Sequence, residues 1–266
     1  MITVRSLHIY PVKSCRRIDL EVADVVATGF QHDRQWMVVD DEGRFLSQRT
    51  HPALARVRTR LDGGRLTLST DEGASVDVAV DGSAGGDRSV TVWNDRCNAV
   101  SAGPEAAAWV SSLLGARSEL VRLSETAFRQ VDTDYADHGD RVAFADGFPF
   151  LLISQASVDE LNRRLADPVP ANRFRANIVI DGCGPHAEDE WTEITIGGVG
   201  FRVAKPCARC RVIATDQLDG SRGAEPLRTL ARYRDVGGKV LFGQNLVHSA
   251  TGTIHVGDAV RPITRA

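Results

Sequence analysis

The chain has 266 residues, 42% of them apolar, which is enough for one large domain or two ordinary ones with a real core. A formal charge of −3 and a pI near 6.2 exclude a general basic field for nucleic acid or an anionic membrane, so a polyanionic ligand must meet a local pocket of arginines. Met1 leads straight into an alternating segment and no apolar run approaches a membrane span; with five cysteines, an odd number, the reading is a cytoplasmic protein with reduced thiols.

Residues 2–10 and 18–26 alternate as strands, and 35–39 is expected to meet Phe45 across the turn 40–43. Asp62-Gly63-Gly64 is a hairpin signal between Val57 and Leu66. Strands over 76–80 and 89–93 follow, separated by the segment DGSAGGD, which reads as flexible. The period then changes: Pro104 at the first turn and Gly115 just past the end bracket a helix over 104–114. A strand over 119–123 leads into a polar stretch without periodicity that runs to residue 142.

The second half is mixed. Residues 150–153 read as a strand, and Ser157 with Glu160 has the capping-box spacing for a helix reaching about residue 165, with Val158, Leu161 and Leu165 on one face. Strands are expected over 177–180, 193–196, 199–204 and 211–215, a short helix over 225–232, and strands over 240–247 and 253–260. The expected class is β-rich α+β, with a barrel-like antiparallel sheet in the first half.

The richest chemistry lies in FRVAKPCARCRVIATD, residues 201–216, where Cys207 and Cys210 flank Arg209 behind a Lys-Pro. A thiolate in so positive a setting is a good metal ligand or nucleophile. Three readings compete. A redox pair needs a helix N-terminus, whereas the residues that follow favour a strand. A zinc site could recruit Cys183 and His186 upstream. A single thiolate could instead hold a soft transition metal that brings its own cofactor. Lys13 and Ser14 in YPVKS, Arg34 in HDRQW and Arg175 in NRFRAN stand at strand mouths and, with Arg209, would form an anion pocket. No phosphate-binding glycine loop, no Gly-x-Ser-x-Gly elbow and no His-Glu-x-x-His occurs.

The segments YPVKS, DRQWMVVD, FPFLLISQASVDELN, NRFRANIVI, KPCARC, LFGQN and GTIHVGD, in this order, resemble proteins with an N-terminal β-barrel domain and a C-terminal MOSC domain. That group of molybdenum-cofactor proteins includes the mitochondrial amidoxime-reducing component and its bacterial relatives. On this resemblance an N-terminal β-barrel domain is expected over 1–121 and a second β-barrel domain with a few helices over 122–266. The resemblance implies a molybdopterin whose metal takes one protein cysteine, corresponding to Cys210 as metal ligand and catalytic residue; Cys207 is left without a role. It further implies cofactor contacts from Lys13, Ser14, Arg34, Asp146, Gly147, Phe148, Arg175, Asn177, Ala208, Arg209 and Asn245. Ala208 departs from a serine, Gly147 and Phe148 from small hydroxyl residues, and Asn245 from an aromatic residue near the site. The implied reaction is reduction of hydroxylamines, amidoximes or N-hydroxylated bases. Electrons are expected from a separate flavin, haem or iron–sulfur protein, because no ferredoxin-like cysteine cluster follows. Two other functions stay open: a sulfur or cofactor carrier with a persulfide on Cys210 or Cys207, and a zinc-bound interaction module.

Overall fold

The computed structural model describes residues 1–81 and 85–264, so the middle of the DGSAGGD segment lies outside the described residues. The class is the expected β-rich α+β, built on a nine-stranded sheet. Across this sheet the order is Val260–Thr264, Trp191–Ile196, Val199–Ala208, Lys239–His248, Phe150–Ser154, Ile178–Asp181, Thr3–Ile9 and Ile18–Leu20, with Asp235–Val236 added beside Lys239–His248. One pair is parallel, Phe150–Ser154 with Ile178–Asp181, and the crossover that a parallel pair requires carries the helix Gln155–Asn162. A four-stranded sheet joins Trp36–Val39, Glu119–Leu123, Asp95–Ser101 and Asp87–Val92, and two three-stranded sheets complete the fold.

Strand pairing crosses the expected division at residue 121. Thr3–Ile9 pairs with Ile178–Asp181, and Val22–Val26 pairs with Gly252–His255. Phe150 closes this junction from inside. Its buried ring meets Phe30 at 4.9 Å and Phe201 at 5.3 Å, both edge to face, contacts worth about 0.5–1.5 kcal/mol each beyond burial.

Four expectations need correction. Residues 211–215 do not form a strand: Arg211–Ala214 is a 3₁₀ turn, because the chain leaves the sheet at Ala208. The helix expected from Ser157 starts earlier, with Ser154 as its cap accepting from the Ser157 N–H, and it ends at Asn162. The expected strand 18–26 is broken at Glu21, whose carbonyl turns aside to accept from Val256. The expected strand 253–260 is likewise interrupted, by a turn at Gly257 (φ +89°). The strand Asp95–Ser101 was not anticipated, since its polar start obscures the alternation of Cys97, Ala99 and Ser101 toward the interior.

One irregularity positions the cysteine turn. Pro206 pairs with Gln244 but Ala208 pairs with Leu241, so Phe242 and Gly243 oppose Cys207 in a bulge. Gly243 holds φ +77°, and a Cβ there would lie 2.6 Å from the Leu152 carbonyl oxygen and 2.6 Å from Ile153 Cγ2. Gly243→Ala is therefore expected to lower the unfolding free energy by about 2–3 kcal/mol, measured by urea denaturation.

A second expectation concerns pH. His8 is buried on the opening strand, and burial, then Arg17, lowers its pKa from 6.5 to about 4 against the pull of Asp19, whose Oδ1 is 2.8 Å away. The unfolded chain thus takes up this proton first as pH falls. The contribution to stability is complete above about pH 6.5 and lost on descent through about pH 4. Melting temperature should fall across that window in the wild-type protein, and less steeply in His8→Asn.

Candidate functional site

Loops at one end of five adjacent strands of the large sheet enclose a cavity of about 150 Å³ that opens to solvent. Lys13 and Ser14 reach it from the end of the opening strand, and Arg34 from the turn before Trp36–Val39. Asp146, Gly147 and Phe148 lead into Phe150–Ser154, and Arg175 and Asn177 lead into Ile178–Asp181. Ala208, Arg209 and Cys210 end Val199–Ala208, and Asn245 comes from Lys239–His248. Every residue singled out in the sequence for cofactor contact thus borders one cavity, together with Arg49, Cys207 and Phe174. Among the described residues, Asp146 is the one carboxylate in a wall that also holds Lys13, Arg34, Arg49, Arg175 and Arg209.

Two of these arginines are stacked on one ring. The guanidinium carbons of Arg34 and Arg175 lie 4.2 and 4.3 Å from the centroid of buried Tyr10, whose hydroxyl donates to the Ala176 carbonyl. Arg34 donates to Asp33 at 2.6 Å, to Asn177 Oδ1 at 3.0 Å and to the Arg175 carbonyl at 3.1 Å. Asp33 also accepts from the Tyr10 N–H at 2.7 Å. Arg175 donates to the Cys15 carbonyl and to Gln217 Oε1. Burial, then the neighbouring Arg34, brings the Arg175 pKa down to about 10, although Tyr10 opposes the shift. Ser14, Arg34 and Arg175 all adopt left-handed backbone, with φ of 72°, 46° and 57°. Such conformations cost on the order of 1 kcal/mol or more in non-glycine residues, and they gather where a site must be held.

Opposite this stack, buried Lys13 donates to the Phe144 carbonyl at 2.7 Å and to Asp146 Oδ1 at 2.5 Å. Arg49 donates to the other Asp146 oxygen at 3.2 Å while its guanidinium lies 4.6 Å from the Trp93 ring, and Trp93 Nε1 donates to Asp146 as well. Burial acts to raise the Asp146 carboxyl, but Lys13 and Arg49 hold it well below the usual carboxylate range. For Lys13 burial is the stronger influence and lowers its pKa. Ser14 is fixed through Gln48, which exchanges amide hydrogen bonds with Gln217 at 3.0 Å in both directions.

At the third side the cysteine turn carries Arg209. Its Nη1 is 3.0 Å from Cys207 Sγ, its Nη2 donates to the Phe174 carbonyl at 2.7 Å, and its buried Nε has no partner. Cys210 begins the 3₁₀ turn in extended conformation (φ −116°). The sequence argument against a redox pair, that a strand follows, therefore fails, yet a turn this short offers only a small dipole. Among the described residues no three His, Cys, Asp or Glu side chains are grouped to hold a metal ion, so Cys183, His186, Cys207 and Cys210 are not assembled as a zinc set. Cys183 instead packs on the core under the large sheet, and His186 borders Tyr233 and Phe242.

Several contributors carry no sequence signal of their own. Arg49 sits in an unpatterned loop and reaches the wall only through tertiary folding, while Gln48 and Gln217 are 169 positions apart. Asp33 and Tyr10 lie inside the HDRQW and YPVKS segments, but their role depends on the stacking geometry. Because Asp33 and Arg34 form a largely buried pair, with side chains 3% and 12% exposed, Asp33→Asn should lower the unfolding free energy by about 3 kcal/mol, read from the urea midpoint.

Residues 1–117 match the MOSC N-terminal beta barrel domain, and residues 139–261 match the MOSC domain. Mitochondrial amidoxime-reducing component 1 of Mus musculus is 35% identical over 97% of this chain and 81% of its own length; the Homo sapiens protein of that name is 34% identical over 97% and 82%. Molybdenum cofactor sulfurase of Danio rerio is 34% identical over 95% of this chain, which spans 33% of that longer protein. The chain therefore belongs to the family in which a MOSC N-terminal β-barrel domain precedes a MOSC domain, the family of the mitochondrial amidoxime-reducing component.

Proposed function

We propose that the protein is a molybdenum-cofactor-dependent oxidoreductase that reduces N-hydroxylated compounds, such as hydroxylamines, amidoximes and N-hydroxylated bases, with electrons from a separate protein. The observation that carries this reading is a single cavity in which the Cys210 thiol shares a wall with Lys13, Arg34, Arg175 and Arg209. A hard divalent ion would call for clustered carboxylates, whereas a soft, sulfur-rich centre attached to a phosphate calls for a thiolate and cations. The unpartnered, buried Nε of Arg209 fits an anionic ligand as its missing acceptor.

When bound, the cofactor supplies two-electron removal of oxygen from nitrogen, with two protons consumed per turnover. Cys210 is the proposed metal ligand, and Ser14, Lys13, Arg34, Arg175 and Arg209 are the proposed anion contacts. The Tyr10 stack and the Asp33 pair keep Arg34 and Arg175 in place before any ligand arrives, so little ordering cost remains at binding. Asn177 donates to the His8 carbonyl and accepts from the Leu151 N–H, which fixes the loop carrying Arg175 to two strands. Phe148 and Phe174 supply the apolar part of the wall and limit water. Ala208, Gly147, Phe148 and Asn245, where the chain departs from the family pattern, are the proposed determinants of substrate preference.

A second reading, a sulfur or cofactor carrier, is supported by one contact, the Arg209 guanidinium beside Cys207 Sγ, a setting that suits an anionic persulfide. Protein carrying cyanide-labile sulfur on Cys207 and no molybdenum would favour it. Among the described residues no helix is long and apolar enough to cross a membrane; the cytoplasm is the proposed compartment.

Cys210→Ala, made in a cofactor-competent host, is expected to retain at least about tenfold less molybdenum than the wild type and to lose turnover of benzamidoxime. Wild-type turnover in that variant would contradict the assignment. Ser14→Ala should weaken cofactor retention with a smaller loss, read as pterin fluorescence per chain.

A further inference from the structure

On the far side of the cysteine turn lies a second concavity of about 610 Å³ that shares Ala208 and Arg209 with the cavity wall. Its floor is apolar and small-sided, formed by Ala214, Leu227, Ala231 and Val240. Its cations are Arg209, Arg211, Arg228 and Lys239, and among the described residues no carboxylate lines it. Arg228 is engaged by Glu225 at 2.8 Å, but Arg211 and Lys239 are exposed and have no ion pair among the described residues. Val236, 64% exposed, pairs with Lys239 across the neighbouring hairpin and extends the apolar surface.

An apolar centre ringed by charge of one sign is the anatomy of a protein-docking surface, and a chain of net charge −3 gains such a positive face only by local placement. A small anion would need its donors converging on one point, whereas here they stand around an open floor. We propose that this groove docks an acidic one-electron carrier protein, delivering electrons to the cofactor across Ala208 and Arg209. The proposal rests on the reductase reading above. Each docking transfers one electron and oxidises the carrier. Two electrons with two protons break the N–O bond and form an N–H bond, and the oxygen leaves as water.

The test uses an acidic plant-type [2Fe–2S] ferredoxin as probe, with cofactor-loaded wild-type protein and Arg211→Glu/Lys239→Glu. The wild type should bind the ferredoxin in titration calorimetry at low ionic strength and weaken steeply with added salt. The double variant should bind at least about tenfold more weakly, with a shallower salt dependence. Turnover with reduced benzyl viologen should be equal in both proteins. Unchanged ferredoxin affinity and salt dependence in the variant would overturn the proposal, as would a wild-type protein that neither binds nor accepts electrons from ferredoxin while viologen sustains turnover. Loss of viologen-driven turnover in the wild type would instead count against the reductase reading, and the calorimetry would still decide whether the groove binds an acidic protein.

Discussion

The guanidinium groups of Arg34 and Arg175 lie 4.2 and 4.3 Å from the centroid of the Tyr10 ring, and the site is built outward from that cluster. Two like charges so close repel, and each also occupies a left-handed backbone position that an ordinary residue avoids. The face of the ring attracts both cations, Asp33 neutralises one of them, and the carbonyls of Cys15 and Arg175 accept from the two guanidiniums. Two cations beside one carboxylate leave a surplus of positive charge, and burial first, then Arg34, lowers the pKa of Arg175. An anion entering the cavity relieves that surplus.

The sheet transmits this constraint to the cysteine turn. Thr3–Ile9, which delivers Tyr10 and Lys13, is separated from Lys239–His248 by two strands, Ile178–Asp181 and Phe150–Ser154. The bulge at Gly243 then bends the end of Val199–Ala208 so that Ala208, Arg209 and Cys210 turn back over the same cavity. Arg209 completes the connection, since its hydrogen bond to the Phe174 carbonyl links the turn to the 3₁₀ segment Ala171–Phe174 immediately before Arg175. Thiol and cations are thus positioned by one hydrogen-bonded sheet and not by independent loops. The same turn has an outer face, where Arg211 and Lys239 point their charge at solvent beside an apolar floor.

Much of this was legible in the sequence because the informative residues sit in short, chemically distinctive segments. Alternation identified the opening strand, Pro104 and Gly115 bracketed the helix Pro104–Leu114, and the clusters around Lys13, Arg34, Arg175 and Arg209 signalled an anion pocket. The failures share a cause. Arg211–Ala214 has β-branched and apolar residues but no strand neighbour, so tertiary context overrides propensity. Arg49, Gln48 and Gln217 contribute through pairings between distant segments, which no local period records. Cys207, which had no role in the sequence, gains one physical partner in Arg209.

The central claim is that the thiol of Cys210 and the cations around Tyr10 together hold a molybdenum cofactor. The most direct test is elemental analysis for molybdenum and zinc, with pterin fluorescence on the same sample, on wild-type protein purified from a cofactor-competent host. Stoichiometric molybdenum with matching pterin and no zinc is the predicted result; stoichiometric zinc, or sulfane sulfur without molybdenum, would contradict it.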